Sequence, residues 1–155
     1  MKRGVFFLAA LLWGLAPAMA GPAEDLAAEA FPVLEKGTRS GDMLARARAT
    51  EALARLPGRD VKPYVRESLR DPHWTVRRSA IVALAALGDP EARALAAQAL
   101  RDPSAPVAED LPVWLQAFPG APGRALVAEA LADPQNPNRD ALWKALLDHG
   151  MEVAL

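Results

Sequence analysis

The chain has 155 residues, of which 52% are hydrophobic and 24% are charged, and its formal net charge is −1. These values describe one ordinary folded domain; they exclude an intrinsically disordered chain and give no overall case for binding nucleic acid. Alanine is the most abundant residue type, whereas aromatic side chains make up only 6%. Because alanine favours helices and is depleted in strands, the composition predicts an all-α fold with a core of small side chains.

The first twenty residues have the pattern of a secretion signal. Lys2 and Arg3 precede an apolar run over 4–16, and a proline separates this run from the small residues at 18–20. A basic start, an apolar segment of this length and an A-x-A site predict cleavage after Ala20 and a periplasmic or secreted protein. The run is too short for a comfortable membrane span of about 20 residues, and an uncleaved N-terminal anchor is the alternative. Since the chain has no cysteine, the exported protein is expected to fold without disulfides.

Eight helices are predicted after the signal, because apolar residues recur at helical spacing and most glycines and prolines fall between the resulting segments. The segments run over 22–36, 43–56, 61–70, 72–87, 90–101, 109–118, 121–132 and 138–149. Asp71 and Asp89 each precede a proline and are predicted to be helix N-caps. Gly58, Gly88 and Gly120 are predicted to end helices in the left-handed conformation.

A 31-residue repeat organises the central part of the chain. Leu-Arg-Asp-Pro at 69–72 recurs at 100–103, and Leu-Ala-Asp-Pro stands at 131–134. The same offset aligns Leu53 with Leu84 without a gap. Each period contains two predicted helices, and stacking of such units buries a continuous core.

The segments that carry the clearest pattern are Asp71-Pro72, Val76-Arg77, Ala80, Ala83-Leu84, Leu87-Gly88-Asp89-Pro90 and Leu100-Arg101-Asp102-Pro103. In these positions the chain resembles the HEAT-repeat superfamily, in particular the short HEAT-like repeats also found in phycobilin lyases. The resemblance implies an all-α fold, an α-solenoid or α-α superhelix of about four helix pairs. The predicted organisation is a signal peptide at 1–20, an N-terminal capping helix at 21–42, three HEAT-like repeats at 43–134, and a C-terminal capping helix and tail at 135–155.

The resemblance also implies roles for charged residues at the repeat turns. Arg46 and Arg77 stand at the family's Val-Arg position, where the arginine pairs with a turn aspartate of a neighbouring repeat, here Asp71 or Asp102. Asp71, Asp102 and Asp133 are also similar to the paired carboxylates found in the active sites of some enzymes. Each precedes a proline, however, and helix capping explains them without catalysis.

The third repeat departs from the pattern. Ala108 takes the place of the Val-Arg arginine, and Pro106 and Pro112 are expected to shorten or delay the first helix of this repeat. Trp114 stands where the other repeats have alanine. The large aromatic side chains are expected to fill repeat interfaces, with a partner contact as the alternative, at Trp74, Trp114, Trp143 and Phe118.

A set of cations on the predicted second helices, called the basic strip here, is the candidate partner-binding surface. Its members recur at the repeat offset or share one face of the first of these helices: Lys62, Arg66, Arg70, Arg93, Arg101 and Arg124. The resemblance implies that second helices line the concave side. The strip is predicted to bind an acidic protein surface; the alternative is a solvated face paired with Glu67, Glu91 and Glu129.

No residues form a catalytic or metal-binding motif in the sequence. His73 and His149 have no second histidine or glutamate at metal-ligand spacing. We therefore expect no enzyme activity and no catalytic, cofactor-binding or metal-binding residues. The interpretation is a monomeric, non-enzymatic adaptor or scaffold that binds another protein, without nucleic-acid binding and without a membrane span after signal cleavage. Two alternatives are an accessory or chaperone-like subunit for a cofactor-bearing protein, and a binder of an anionic envelope polymer.

Overall fold

The computed structural model describes residues 22–103 and 105–148. In these residues the chain forms helices and no strands, which confirms the predicted all-α fold. The helices are α1 (Pro22–Gly37), α2 (Met43–Leu53), α3 (Lys62–Glu67), α4 (Trp74–Ala86), α5 (Ala92–Ala99), α6 (Val107–Ala117), α7 (Ala121–Ala132) and α8 (Arg139–Asp148). A 3₁₀ turn over Ser68–Arg70 extends α3. The predicted signal peptide lies outside the described residues.

The helices stack in two layers, as expected for an α-solenoid. In the first layer α2 packs on α4, α4 on α6, and α6 on α8, while α1 covers α2 at the N-terminal end. The second layer contains α3, which packs on α2 and α4, followed by α5 and α7, which pack on each other. The second helices α5 and α7 therefore lie side by side, so that equivalent positions of the second and third repeats lie on neighbouring levels of one face. None of the described helices is both long and apolar enough to cross a membrane.

Two hydrophobic clusters form the core and meet at α4. The N-terminal cluster includes Phe31, Leu53 and Leu84, and the C-terminal cluster includes Leu100 and Trp114. The last four of these side chains are fully buried, at 0% exposure. Burial of a leucine contributes about 1.5–3 kcal/mol. Because both clusters include side chains of α4, that helix holds the two halves of the stack together.

The turns within the repeats use glycine as predicted. Gly58, Gly88 and Gly120 have φ values of 70°, 64° and 76°, which confirms the left-handed conformation. A side chain at these values would be strained. The three glycines thus let the chain reverse from the first to the second helix of each repeat.

The predicted N-caps are wrong by two residues. The N-cap of α4 is His73, whose Nδ1 accepts the N–H of Thr75 at 3.3 Å. Asp71 instead accepts the N–H of His73 at 2.8 Å, and Asp89 that of Glu91 at 3.0 Å. These are Asx turns, which a carboxylate followed by proline also favours. Asp133 does not cap the start of a helix either: it is the C-cap residue of α7, and its side chain accepts the N–H of Gln135 at 3.0 Å in the turn before α8.

The expectation that prolines delay the first helix of the third repeat is confirmed. α6 begins at Val107, directly after Pro106, which is two positions later in the 31-residue register than the starts of α2 and α4. With 11 residues α6 is shorter than α4, which has 13, and as long as α2. Pro112 lies within α6, where it removes one backbone hydrogen bond of the helix. The buried Leu111 and Trp114 flank this proline, and their packing offsets that loss.

Two buried asparagines join α8 to the rest of the stack. Asn138 donates from Nδ2 to the carbonyl oxygens of Leu100 at 3.2 Å and Asp102 at 2.7 Å. Asn136 donates from Nδ2 to the carbonyl oxygen of Ala130 at 2.8 Å. The first two acceptors follow α5, and the third lies in the last turn of α7. Carbonyls at helix C-termini have no intrahelical partner, and these bonds supply one.

Candidate functional site

Arginines of the first layer bind aspartates of the following turn. Arg46 makes a two-pronged contact with Asp71, with Nε 2.7 Å from Oδ2 and Nη2 3.0 Å from Oδ1. Arg77 holds the equivalent position one repeat further on, with Nη2 3.7 Å from Oδ2 of Asp102. Both pairings of a Val-Arg arginine with a turn aspartate are thereby confirmed. The hydrogen bond from Arg46, helped by the N–H of His73, holds the pKa of Asp71 below its usual range.

In the third repeat a different arginine replaces the missing one. Position 108 is alanine, and Asp133 is instead bound by Arg101, with Nε 3.2 Å from Oδ2. Arg101 also donates to the carbonyl oxygen of Ala97 at 3.0 Å. The N–H of Gln135 and then Arg101 lower the pKa of Asp133. One member of the basic strip thus serves as a structural ion pair between repeats.

Two further members of the basic strip are held by acidic side chains of the next repeat. Arg66 lies 2.7 Å from Oδ2 of Asp89 and 2.9 Å from Oε2 of Glu91. Arg93 lies 2.5 Å from Oε1 of Glu129. The hydrogen bond from Arg66 is the main cause of the lowered pKa of Asp89. Pairing with Glu91 and Glu129, weighed above as the alternative to partner binding, therefore occurs for Arg66 and Arg93.

The other three members, called the unpaired cations below, make no ion pair among residues 22–103 and 105–148. They are Lys62 on α3, Arg70 at the end of the 3₁₀ turn, and Arg124 on α7. Arg70 and Arg124 are exposed, and Lys62 is half-buried. The structure thus divides the basic strip into three cations that pair with acids of the stack and three that make no ion pair in the described part of the chain.

Sequence reasoning missed a further arginine in the same register. Arg39 stands one repeat offset before Arg70, as Arg70 stands before Arg101. Arg39 follows α1 and binds Glu35 at 3.2 Å and Glu67 at 3.5 Å. Glu67, weighed above as a partner of the basic strip, thus pairs with Arg39. Extending the repeat offset upstream would have found this residue.

A cleft of about 360 Å³ lies where Arg39 and Arg70 come together. Residues from the α1–α2 loop and from the end of α3 with its 3₁₀ turn line it. The lining residues are Thr38, Arg39, Glu67, Ser68, Arg70 and Asp71. This cleft combines a register-repeated pair of arginines with an open concave shape, which makes it the best-defined candidate binding site on this edge of the stack.

The tryptophans serve mainly the packing of the third repeat. Trp114 is fully buried and lies 6.4 Å from Trp74, centroid to centroid. Trp74 donates from Nε1 to Asp110 at 2.8 Å, and Arg78 also binds this buried carboxylate. The half-buried Trp143 and Phe118 pack against the core clusters. The expected role at repeat interfaces is confirmed for Trp114 and Trp74, which join α4 to α6.

The described histidine has a structural role, because His73 caps α4; His149 lies outside the described residues. Within 22–103 and 105–148, no three histidine, aspartate or glutamate side chains converge as a metal site would require. The turn aspartates of the repeats are bound by arginines, as described above.

Comparison with known proteins identifies a family. A family model described as HEAT repeats matches residues 31–114, from the end of α1 to α6. No curated protein and no solved structure gave a match.

Proposed function

Because the chain belongs to the HEAT-repeat family, we propose that it is an exported protein-interaction module, an adaptor or scaffold that binds an acidic partner protein. The proposed binding face is the one formed by α3, α5 and α7. The observation that carries this proposal is the division of the basic strip. Three of its cations are paired within the stack, whereas Lys62, Arg70 and Arg124 make no ion pair among the described residues.

The acidic side chains near the unpaired cations favour a protein partner over a polyanion. Acidic side chains lie among them on the same face, including Glu67, Glu91 and Glu129, all exposed. A polymer with regularly spaced negative charges would be repelled by these carboxylates, whereas a folded partner can place its acids opposite the cations alone. Arginine adds geometric selectivity, because its guanidinium binds a carboxylate through two parallel hydrogen bonds.

The predicted signal peptide supports the proposal that this interaction takes place outside the cytoplasm. The test is to express the full-length chain in its own host with a C-terminal tag and to determine the N-terminus of the exported protein. A mature chain that begins at Gly21 supports the proposal. A product that keeps residues 1–20 and sediments with membranes supports the anchor alternative instead.

Partner binding is tested by affinity capture of the tagged protein from its own envelope fraction at low and moderate salt. We expect a stoichiometric protein partner that Lys62→Glu combined with Arg124→Glu removes. The matched control is Arg48→Glu with Arg55→Glu, which makes the same charge change at exposed positions within and just after α2, in the other layer.

Equal loss in both variants would mean that net charge, not the proposed face, controls binding. Capture of an anionic polymer with a steep salt dependence, and of no protein, would overturn the proposal in favour of polymer binding.

A further inference from the structure

We infer that the cleft between Arg39 and Arg70 binds a side-chain carboxylate from an acidic segment of the partner protein. This inference deepens the proposed function and rests on it. It assigns the contact to one place, at the edge of the stack where the α1–α2 loop meets the 3₁₀ turn after α3.

Most polar groups that line the cleft already have partners. Thr38 donates from Oγ1 to the carbonyl oxygen of Glu35 at 2.7 Å, and Ser68 shares a hydrogen bond of 2.9 Å with Thr50. Asp71 is held by Arg46 at 2.7 Å. The group left for a ligand is Arg70, which is exposed and has no ion pair in the described part of the chain.

Arg39 supplies the second cation of the cleft. It binds Glu35 at 3.2 Å and, more loosely, Glu67 at 3.5 Å, and the side chains of Arg39 and Glu67 are 56% and 64% exposed. The exposed pair with Glu67 is weak. An incoming carboxylate can therefore replace Glu67 on Arg39 while it accepts two parallel hydrogen bonds from Arg70.

The charges around the cleft favour a carboxylate over a phosphorylated or polymeric anion. Glu67 and Asp71 both line it. These two carboxylates reduce the positive potential in the cleft, which disfavours a multiply charged anion. They do not bind the guanidinium of Arg70, so its planar fork can still bind a ligand. A guanidinium fork matches the geometry of one carboxylate. The occupant is thus an aspartate or glutamate side chain that enters a cleft large enough to hold it.

The test uses the exported protein as purified from its host after ¹⁵N labelling. A blocked tetraglutamate peptide is titrated in, and the Nε–Hε resonances of the arginines are followed by NMR. We expect saturable shifts at Arg70 and Arg39 and none with the matched tetraglutamine peptide. Arg70→Gln should weaken binding roughly tenfold, and Glu67→Gln should strengthen it about two- to threefold, because the competing charge on Arg39 is removed.

Arg124→Gln is the matched control, since it removes an exposed arginine on the same face but outside the cleft; it should leave the affinity for the peptide unchanged. Equal weakening by Arg124→Gln and Arg70→Gln would overturn the inference, as would no shift at Arg70. So would tighter binding of inorganic tripolyphosphate at Arg39 and Arg70, which would assign the cleft to phosphoryl groups.

The inference and the proposed function can fail separately. If the captured partner is lost with Lys62→Glu and Arg124→Glu but kept with Arg70→Gln, the proposed function stands and the inference about the cleft is overturned. If no partner is captured but the peptide still binds at Arg70, carboxylate binding by the cleft stands and the proposed function fails.

Discussion

Replacement of Gly123 by alanine has two opposing effects on stability: it improves the helix propensity of α7, and it crowds the α6–α7 turn. Gly123 is the third residue of α7 and is buried in its first turn. Alanine is the better helix former by about 1 kcal/mol. A Cβ at this position, however, would overlap the carbonyl oxygen of Phe118 and lie 3.2 Å from the carbonyl carbon and 3.4 Å from Cδ2 of Leu115. The outcome depends on whether the backbone of the α6–α7 turn can move away.

The structure indicates that the backbone of the α6–α7 turn cannot move away from a Cβ at position 123 at low cost in free energy. Phe118 directly follows α6 as its C-cap residue, and its side chain packs against both core clusters. Moving its carbonyl would therefore shift the link between α6 and α7. Overpacking of this kind costs about 1–3 kcal/mol and occasionally more, and here the atom to be moved is backbone. With a packing cost at the upper end of this range, about 3 kcal/mol, and a propensity gain of about 1 kcal/mol, we expect Gly123→Ala to destabilise the protein by about 2 kcal/mol.

Thermal and urea unfolding followed by circular dichroism in the far ultraviolet measures this change. A loss of about 2 kcal/mol in a chain of this size corresponds to a midpoint lower by about 4–8 °C. The matched control is Gly58→Ala, where a Cβ meets nothing within 4 Å but φ is 70°. That variant should lose only about 1–2 kcal/mol, from backbone strain. If Gly123→Ala is as stable as the wild type, the packing argument for this turn is refuted.

Three further predictions concern the core, the C-terminal helix and acid stability. Leu84→Ala should cost about 2–5 kcal/mol in urea unfolding, because it opens a cavity at a fully buried position of α4; a cost below that of an exposed alanine substitution would contradict the core assignment. Asn138→Ala should cost about 1–3 kcal/mol and raise hydrogen exchange first in α8, because the buried carbonyl of Leu100 and the partly buried carbonyl of Asp102 lose a donor. Since Asp71, Asp89 and Asp133 have lowered pKa values in the fold, their contribution to stability is present above the ordinary value of 3.8 and is lost as pH falls through the lower folded values. The urea midpoint should therefore drop below about pH 4, and Asp71→Asn should make that drop shallower; an unchanged slope would show that Asp71 does not contribute.

The repeat register predicted the fold because it depends on periodic, local signals. Helical spacing located all eight described helices, and three glycines marked the turns. The exact starts of α4 and α5 could not be read from the sequence. A carboxylate before proline favours an N-cap and an Asx turn alike. Asp71 and Asp89 form Asx turns, and in the same arrangement they bind Arg46 and Arg66, which lie on the preceding repeat.

The candidate site was predicted less completely, because it depends on contacts between residues that are distant in the sequence. The repeat offset located the cations, but whether each cation forms an ion pair depends on acidic residues that do not recur at that offset. Arg66 is bound by Asp89 and Glu91, whereas the positions equivalent to Asp89 in the repeats before and after it are Gly58 and Gly120. Only the folded chain brings these partners together. The bonds of Asn138 were missed because an asparagine at that position has no counterpart in the earlier repeats.

The irregular placement of acids along a regular stack would determine how a partner binds the proposed face. At the middle level Arg93 and Arg101 are occupied by Glu129 and Asp133. The available cations are therefore Lys62 and Arg70 near the first repeat and Arg124 near the third. A partner that uses the whole face must present two acidic groups separated by a stretch that contacts the neutralised middle. Because the two ends share no side-chain partner among the described residues, substitutions at Arg70 and Arg124 should weaken such a partner additively in free energy. A partner that touches only one end would be insensitive to the substitution at the other.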